Sequence, residues 1–248
     1  MSKPVIVVIP GAWHTPAVFE PVKRKLESDH SYTVLSSKLP SVGSNPPPED
    51  LSKDVETLRK LVTEAIGNGN DVVVVPHSWS GIVAGSALTG MGKKQREENG
   101  EKGGVTRIAF MCSFIAPKGV SLLDAIQHVI PDWWEVKEPH TFAKDAEIFY
   151  NDLPVSEQQH WMSLLESHAF ATKKAKATAN AWMEIPNSYL MCENDNAIPI
   201  FAQELMVNQA KRMGAEFEVE RIKSSHSPFL SQPDRVVEFI RRAAGEKI

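Results

Sequence analysis

Ser78, Asp195 and His226 are the residues whose types and order could do chemistry together. Ser78 follows Val72-Val73-Val74-Val75-Pro76-His77 and precedes Trp79-Ser80-Gly81, so a β-branched run stops at a serine and small residues take over. The valines have the pattern of a parallel strand buried on both faces. Ser80, Gly81, Ala84, Gly85, Ser86 and Ala87 are small enough for a helix to pack closely against a sheet. A strand, a sharp turn and a helix start in that order present a serine hydroxyl as a nucleophile, with the next N–H helping to form an oxyanion hole. The common pattern is Gly-x-Ser-x-Gly, and Pro76 and Ser80 stand at its two glycine positions. Serine is still small, and proline is tolerated where a chain leaves a sheet. With Ser80 as nucleophile, the branched Ile82 would fall where the turn needs a small neighbour. The plain alternative is that Ser78 caps the following helix, and this segment alone leaves both readings open.

A serine nucleophile needs a base and a group to orient that base. Glu193-Asn194-Asp195-Asn196-Ala197-Ile198-Pro199 follows a strand-like run ending at Cys192, and Ser224-Ser225-His226-Ser227-Pro228-Phe229 follows one ending at Ile222. The order serine, acid, histidine is one in which such triads occur. Glu193 is the main rival to Asp195 as the acid, and Asp124 a weaker one. Of eight histidines, only His226 lies just after a late strand. His14 is in the first loop, His77 should point away from the serine beside it, and His128, His140, His160 and His168 fall in the middle of the chain. No His, Cys or carboxylate cluster has metal-ligand spacing, so no metal is expected.

The elements that must position these residues alternate. Val5 to Ile9 reads as a buried strand followed by the loop Pro10-Gly11-Ala12-Trp13-His14. Thr15-Pro16 starts a helix with Val18, Phe19, Val22 and Leu26 on one face. A strand over Tyr32 to Leu39, a loop rich in proline and a helix carrying Leu51, Val55, Leu58, Leu61, Val62 and Ala65 precede the valine strand. Residues 93–104, mixed in charge and rich in glycine, read as a solvated loop. Further strands are expected over Val105 to Cys112, Ser188 to Cys192 and Phe217 to Ile222, with helices around Phe201 and Val237. This pattern predicts an α/β fold, a mainly parallel sheet of about six strands covered by helices on both faces, with ligands at the strands' carboxyl ends.

Residues 117–186 break the alternation and read as a helical cap inserted into a core formed by residues 1–116 and 187–248. The cap holds Trp133, Trp134, Trp161 and Trp182, while Trp13 and Trp79 flank the first loop and the serine. If it folds over Ser78, every tryptophan lies near one cavity suited to a hydrophobic or aromatic ligand. The expected pocket residues are Trp13, His14, Trp133, Trp161 and Trp182; alternatively, the rings build a small core for the cap.

The 248 residues carry a net charge of −4, which offers no basic field for nucleic acid. A small-molecule substrate is the expected partner. No stretch is suited to membrane insertion or to a secretory leader, so a soluble, cytoplasmic protein is expected. Cys112 and Cys192, one at each of two strand ends, read as buried free thiols.

Four segments resemble the α/β-hydrolase superfamily, and within it the branch of plant methylesterases and hydroxynitrile lyases with their fungal and bacterial esterase-like relatives. They are Pro-Gly-Ala-Trp-His at 10–14, His-Ser-Trp-Ser-Gly at 77–81, Cys-Glu-Asn-Asp-Asn-Ala-Ile-Pro at 192–199 and His-Ser-Pro-Phe-Leu-Ser-Gln-Pro at 226–233. The resemblance implies Ser78 as nucleophile, His226 as base, Asp195 as acid and the N–H groups of Ala12 and Trp79 as oxyanion hole. It implies hydrolysis of an ester, lactone or thioester through an acyl-enzyme, without a cofactor. Relatives acting as hydroxynitrile lyases typically have threonine and lysine where this chain has Ala12 and Ser227, which favours the esterase side. A carbon–carbon lyase, a polyketide-type cyclase and a ligand-binding receptor are the alternatives on the same fold.

Overall fold

A computed structural model describes residues 2–248. Six strands form one parallel sheet: β1 (Val5–Ile9), β2 (Val34–Ser36), β3 (Asp71–Pro76), β4 (Gly104–Met111) and, later in the chain, Asn187–Cys192 and Phe217–Ile222. Between β4 and the last two lie β5 (Trp134–Lys137), β6 (His140–Ala143) and β7 (His168–Ala169), so the last two strands of the main sheet are β8 and β9. The order across the main sheet is β2-β1-β3-β4-β8-β9, and every pairing is parallel. From β1 the chain builds outward to β2, then returns to build β3 and its successors on the other side. The reversal falls between β1 and β3, and the crevice at their carboxyl ends is where such sheets bind ligands.

The strand sequences explain the two-sided burial. Val7, Ile9, Val72 and Val74 join one apolar layer, with Leu58 and Val62 of the helix Ser52–Ile66 and the helix Ser80–Ala87. Ile6, Val8, Val73 and Val75 face the opposite layer, with Val22 and Leu26 of the helix Glu20–Ser28 and Val236, Phe239 and Ile240 of the helix Pro233–Ala243. Val72 to Val75 are fully buried, as a central parallel strand covered on both sides requires.

Several expectations are corrected. The helix expected from Thr15-Pro16 opens instead as a 3₁₀ turn over Pro16–Phe19 that leads into Glu20–Ser28. The second strand is only Val34–Ser36. Lys93–Glu98 form a short helix rather than a loop, with no residue buried, because good helix formers carry the turn without an apolar face. Residues 117–186 are not purely helical: β5, β6 and β7 make a three-stranded antiparallel sheet among short helices. Strands of four and two residues are too short to print a period of two on the sequence.

Candidate active site

β1 and β3 end side by side, with Ile9 opposite Pro76, and the loops that leave them meet at Ser78. Pro76 is the last residue of β3, and His77 beyond it donates its N–H to Ile9 O at 3.0 Å. Ser78 then adopts φ 55°, the left-handed region that costs a residue with a Cβ about 1–2 kcal/mol. Its own carbonyl is held by Phe114 N–H at 3.0 Å and Ser113 Oγ at 2.8 Å, which fix the strained turn. Two glycines allow the close approach. A Cβ on Gly11 would lie 2.7 Å from Ser78 Cβ, and one on Gly81 would overlap the Phe114 carbonyl oxygen. Ser78 makes no capping bond to the helix Ser80–Ala87, so the cap alternative fails. Ser80 is buried and fully occupied: its hydroxyl lies 2.9 Å from the carbonyl oxygens of Ile9 and His77 and accepts from His77 N–H at 2.9 Å.

His226 and Asp195 are brought together from the loops after β9 and β8. His226 Nδ1 lies 2.7 Å from Asp195 Oδ2, and both side chains are almost completely buried. The other carboxylate oxygen accepts the N–H groups of Ala197 and Ile198 at 2.7 and 2.8 Å, and Gln203 Nε2 lies 3.3 Å from Oδ2. The rivals are employed elsewhere. Asp124 closes a capping box with Ser121, and Glu193 faces Arg221 at 4.0 Å. His226 and Ser78 share no direct hydrogen bond among the described residues; apo sites often tighten this contact only around a bound substrate.

His77 supports the histidine from beneath. Its Nε2 hydrogen-bonds His226 O at 2.9 Å, and the two rings lie 4.6 Å apart. Cys112 Sγ also donates to that carbonyl, at 3.3 Å. His77, Cys112 and His226 come close enough to resemble a metal triad. Their ligand atoms are largely spoken for, since His77 Nε2 and Cys112 Sγ serve one carbonyl and His226 Nδ1 serves Asp195.

Ser78 opens into a narrow cavity of about 40 Å³. Trp13, Trp79, Trp133, Trp134 and Phe149 supply its aromatic wall, and Ala12 and Ile198 also line it. Trp13 is central. Its backbone is left-handed (φ 64°), its ring meets Trp133 and Trp134 edge-on at 5.6 Å, and its Nε1 donates to Thr141 O of β6 at 3.1 Å. Ala12 and Trp79 both line this cavity, and among the described residues neither N–H donates to a protein acceptor. A larger open groove beside the helix Ser52–Ile66 holds neither nucleophile nor histidine.

Three expected pocket residues lie elsewhere. His14 is behind the wall, with its ring nitrogens 2.8 Å from Ala12 O and Tyr150 Oη. Trp182 packs against Gly85 of the helix Ser80–Ala87, where a Cβ would come within 3.2 Å of its ring. Trp161 meets His160 edge-on instead. Trp79, Trp134, Phe149 and Lys173 line the cavity in their place. Sequence carried one usable signal for this region: Asp54 falls on the apolar face of its helix, three residues after Leu51 and four before Leu58. It is completely buried, accepting Ser41 N–H at 2.8 Å and Trp79 Nε1 at 3.4 Å.

Burial holds three histidines neutral. His14 is pushed down to about 4, and His77 and His168 well below the usual imidazole value. In the unfolded chain these side chains bind protons near pH 6.5. Between that value and about 4 the unfolded state therefore binds more protons, and stability drops by roughly 1.4 kcal/mol for each histidine per unit decrease in pH. Urea midpoints should decline from pH 7 to pH 5; a flat profile would contradict the burial.

Comparisons with known proteins agree with this architecture. A model of the "Alpha/beta hydrolase family" matches residues 6–239. The "Alpha/beta hydrolase nvfD" of Aspergillus novofumigatus is 35% identical over 254 residues, covering 100% of this chain and 99% of that protein. A pyrethroid hydrolase from Sphingobium faniae superposes with a TM-score of 0.78 at 18% identity, covering 98% of each chain. Polyneuridine aldehyde esterase does so with a TM-score of 0.74 at 17% identity, covering 97% of this chain and 99% of that one. At those identities the two structures speak for the fold alone.

Proposed function

The chain belongs to the alpha/beta hydrolase family, and from that premise we propose that it is a serine esterase acting on a small hydrophobic ester, lactone or thioester. The observation that supports this reading most is Ser78 at φ 55° on the turn after β3, facing an apolar cavity. Backbone strain of that kind persists where the surroundings hold it, and it turns the hydroxyl away from the helix it would otherwise cap.

In the proposed reaction Ser78 Oγ attacks the substrate carbonyl while His226 Nε2 takes its proton. Asp195 accepts the Nδ1 hydrogen, holds the tautomer and stabilises the imidazolium that forms. The carbonyl oxygen becomes an oxyanion bound by the N–H groups of Ala12 and Trp79, each worth about 3–4 kcal/mol of barrier. His226 then protonates the departing group, and a water activated by the same imidazole releases the acid from Ser78. The slender cavity suits an acyl group of a few carbons against Trp13, Trp133 and Phe149 better than a second aromatic ring.

The remaining features support a small-molecule enzyme. No helix among the described residues is long and apolar enough to cross a membrane. Cys112 and Cys192 are buried free thiols, compatible with a reducing compartment, and we place the enzyme in the cytoplasm. The test is stopped-flow hydrolysis of 4-nitrophenyl acetate and butanoate. The reading predicts a burst of nitrophenolate with an amplitude near one per active site, the mark of an accumulating acyl-enzyme. No turnover of any short ester by folded protein would overturn it in favour of a lyase, a cyclase or a receptor.

A further inference from the structure

Lys173 is the charged side chain among the cavity-lining residues, and the proposed mechanism gives it no role. It sits in the short helix Phe170–Lys174, is completely buried, and among the described residues its Nζ has no hydrogen-bond partner. Three indole faces surround that nitrogen: Trp13 at 4.1 Å, Trp134 at 4.5 Å and Trp79 at 5.7 Å. All three rings line the cavity onto which Ser78 opens, as does Lys173 itself. A lysine nitrogen carries up to three donors, and here none is used. Buried polar groups without partners are uncommon and call for an explanation. Stability supplies none, since an apolar side chain of similar volume would fill the same space without desolvating an amine.

The neighbouring ionisable groups do not complete the site. The Asp54 carboxylate favours the charged amine through space, but its oxygens accept from Ser41 N–H and Trp79 Nε1 and make no hydrogen bond to Lys173 Nζ. His168 is buried beside Trp79 and Trp13, its ring is held neutral chiefly by burial, and among the described residues neither of its nitrogens has a partner. The negative faces of three indoles attract an ammonium, but they offer no acceptor to its N–H groups. What the arrangement lacks is an anionic oxygen entering from the cavity.

We propose that Lys173 is the anion-binding residue of this pocket and that the physiological substrate carries a carboxylate in addition to the bond cleaved at Ser78. The assignment deepens the esterase reading and rests on it for the word substrate; anion binding itself does not require turnover. Burial pulls the Lys173 amine well below its ordinary value. A carboxylate that enters favours the charged form of the amine. The neutral indole wall and Ile198 then hold the apolar remainder of the ligand.

The test uses hexanoate and its uncharged counterpart hexanamide as probes, followed by tryptophan fluorescence because three indoles flank the amine. Wild type should bind hexanoate at least about tenfold more tightly than hexanamide, as expected of a charge-assisted pair against a neutral one. Lys173→Met should erase that preference while leaving hexanamide binding within about twofold, and Ser78→Ala should retain it. Equal binding of the two probes to wild type, or a preference that survives in Lys173→Met, would overturn the assignment. If the methionine variant fails to fold, Lys173→Gln, which removes the charge and keeps a polar side chain, takes its place with the same expected loss of preference. The Ser78→Ala background separates the claims: a preference kept there with esterase activity absent in wild type would sink the esterase reading alone.

Discussion

Replacing Ser78 by alanine should lower kcat for 4-nitrophenyl butanoate by about 10⁴–10⁶-fold, the range in which loss of a serine nucleophile falls. The expectation follows from position rather than from residue type. Ser80 lies two residues on and is also buried, yet its hydroxyl is engaged by the backbone of Ile9 and His77. Ser80→Ala should therefore retain activity within about tenfold and pay mainly in stability, by the roughly 1–3 kcal/mol that unpaired buried groups cost. Alanine at position 78 meets the same left-handed backbone as serine, and the turn stays fixed by Phe114 and Ser113. Thermal melts of Ser78→Ala should coincide with wild type within a few degrees. A Ser78→Ala enzyme with more than a few per cent of wild-type kcat would remove Ser78 from the chemistry.

Asp195→Asn should cost about 10⁴-fold in kcat, the effect known when an orienting aspartate becomes an amide. Asparagine keeps a carbonyl oxygen for the Ala197 and Ile198 N–H groups, now at 2.7 and 2.8 Å, so the loop holds its shape. The amide then turns its NH₂ towards His226 Nδ1, 2.7 Å away in the native pair, and towards the Gln203 side chain. The imidazole must accept at Nδ1, which leaves Nε2 protonated and unable to take the Ser78 proton. The loss should appear in kcat with little change in KM, because the cavity wall is untouched. A variant that loses affinity but not kcat would mean that Asp195 organises the loop and nothing more.

Much of this was legible in the chain because local patterns and tertiary roles coincide. Four valines in a row cannot alternate faces, so a strand buried on both sides was the natural reading of 72–75. Ser78, Asp195 and His226 each follow a strand end, and at a sheet edge the loops there share one crevice. The pocket was harder to read. Tryptophan at 161 and tryptophan at 133 look alike in sequence; which one reaches the cavity depends on how the middle of the chain folds. That folding turns on β5, β6 and β7, strands too short to advertise themselves. Lys173 carried no signal, standing between Thr172 and Lys174 like any solvated lysine. Its burial comes from the Trp13, Trp79 and Trp134 rings, which three separate parts of the chain supply. Asp54 was the readable exception, a charge on an otherwise apolar helix face.

The central claim is that Ser78 is an activated nucleophile, and the most direct measurement is covalent capture. Wild-type protein, Ser78→Ala and Ser80→Ala would be treated with a fluorophosphonate and digested, and the modified peptide identified by mass spectrometry. The account predicts one phosphonylated residue, Ser78, in wild type and in Ser80→Ala, and no label in Ser78→Ala. Labelling at Ser80, or no labelling of folded wild type, would contradict it.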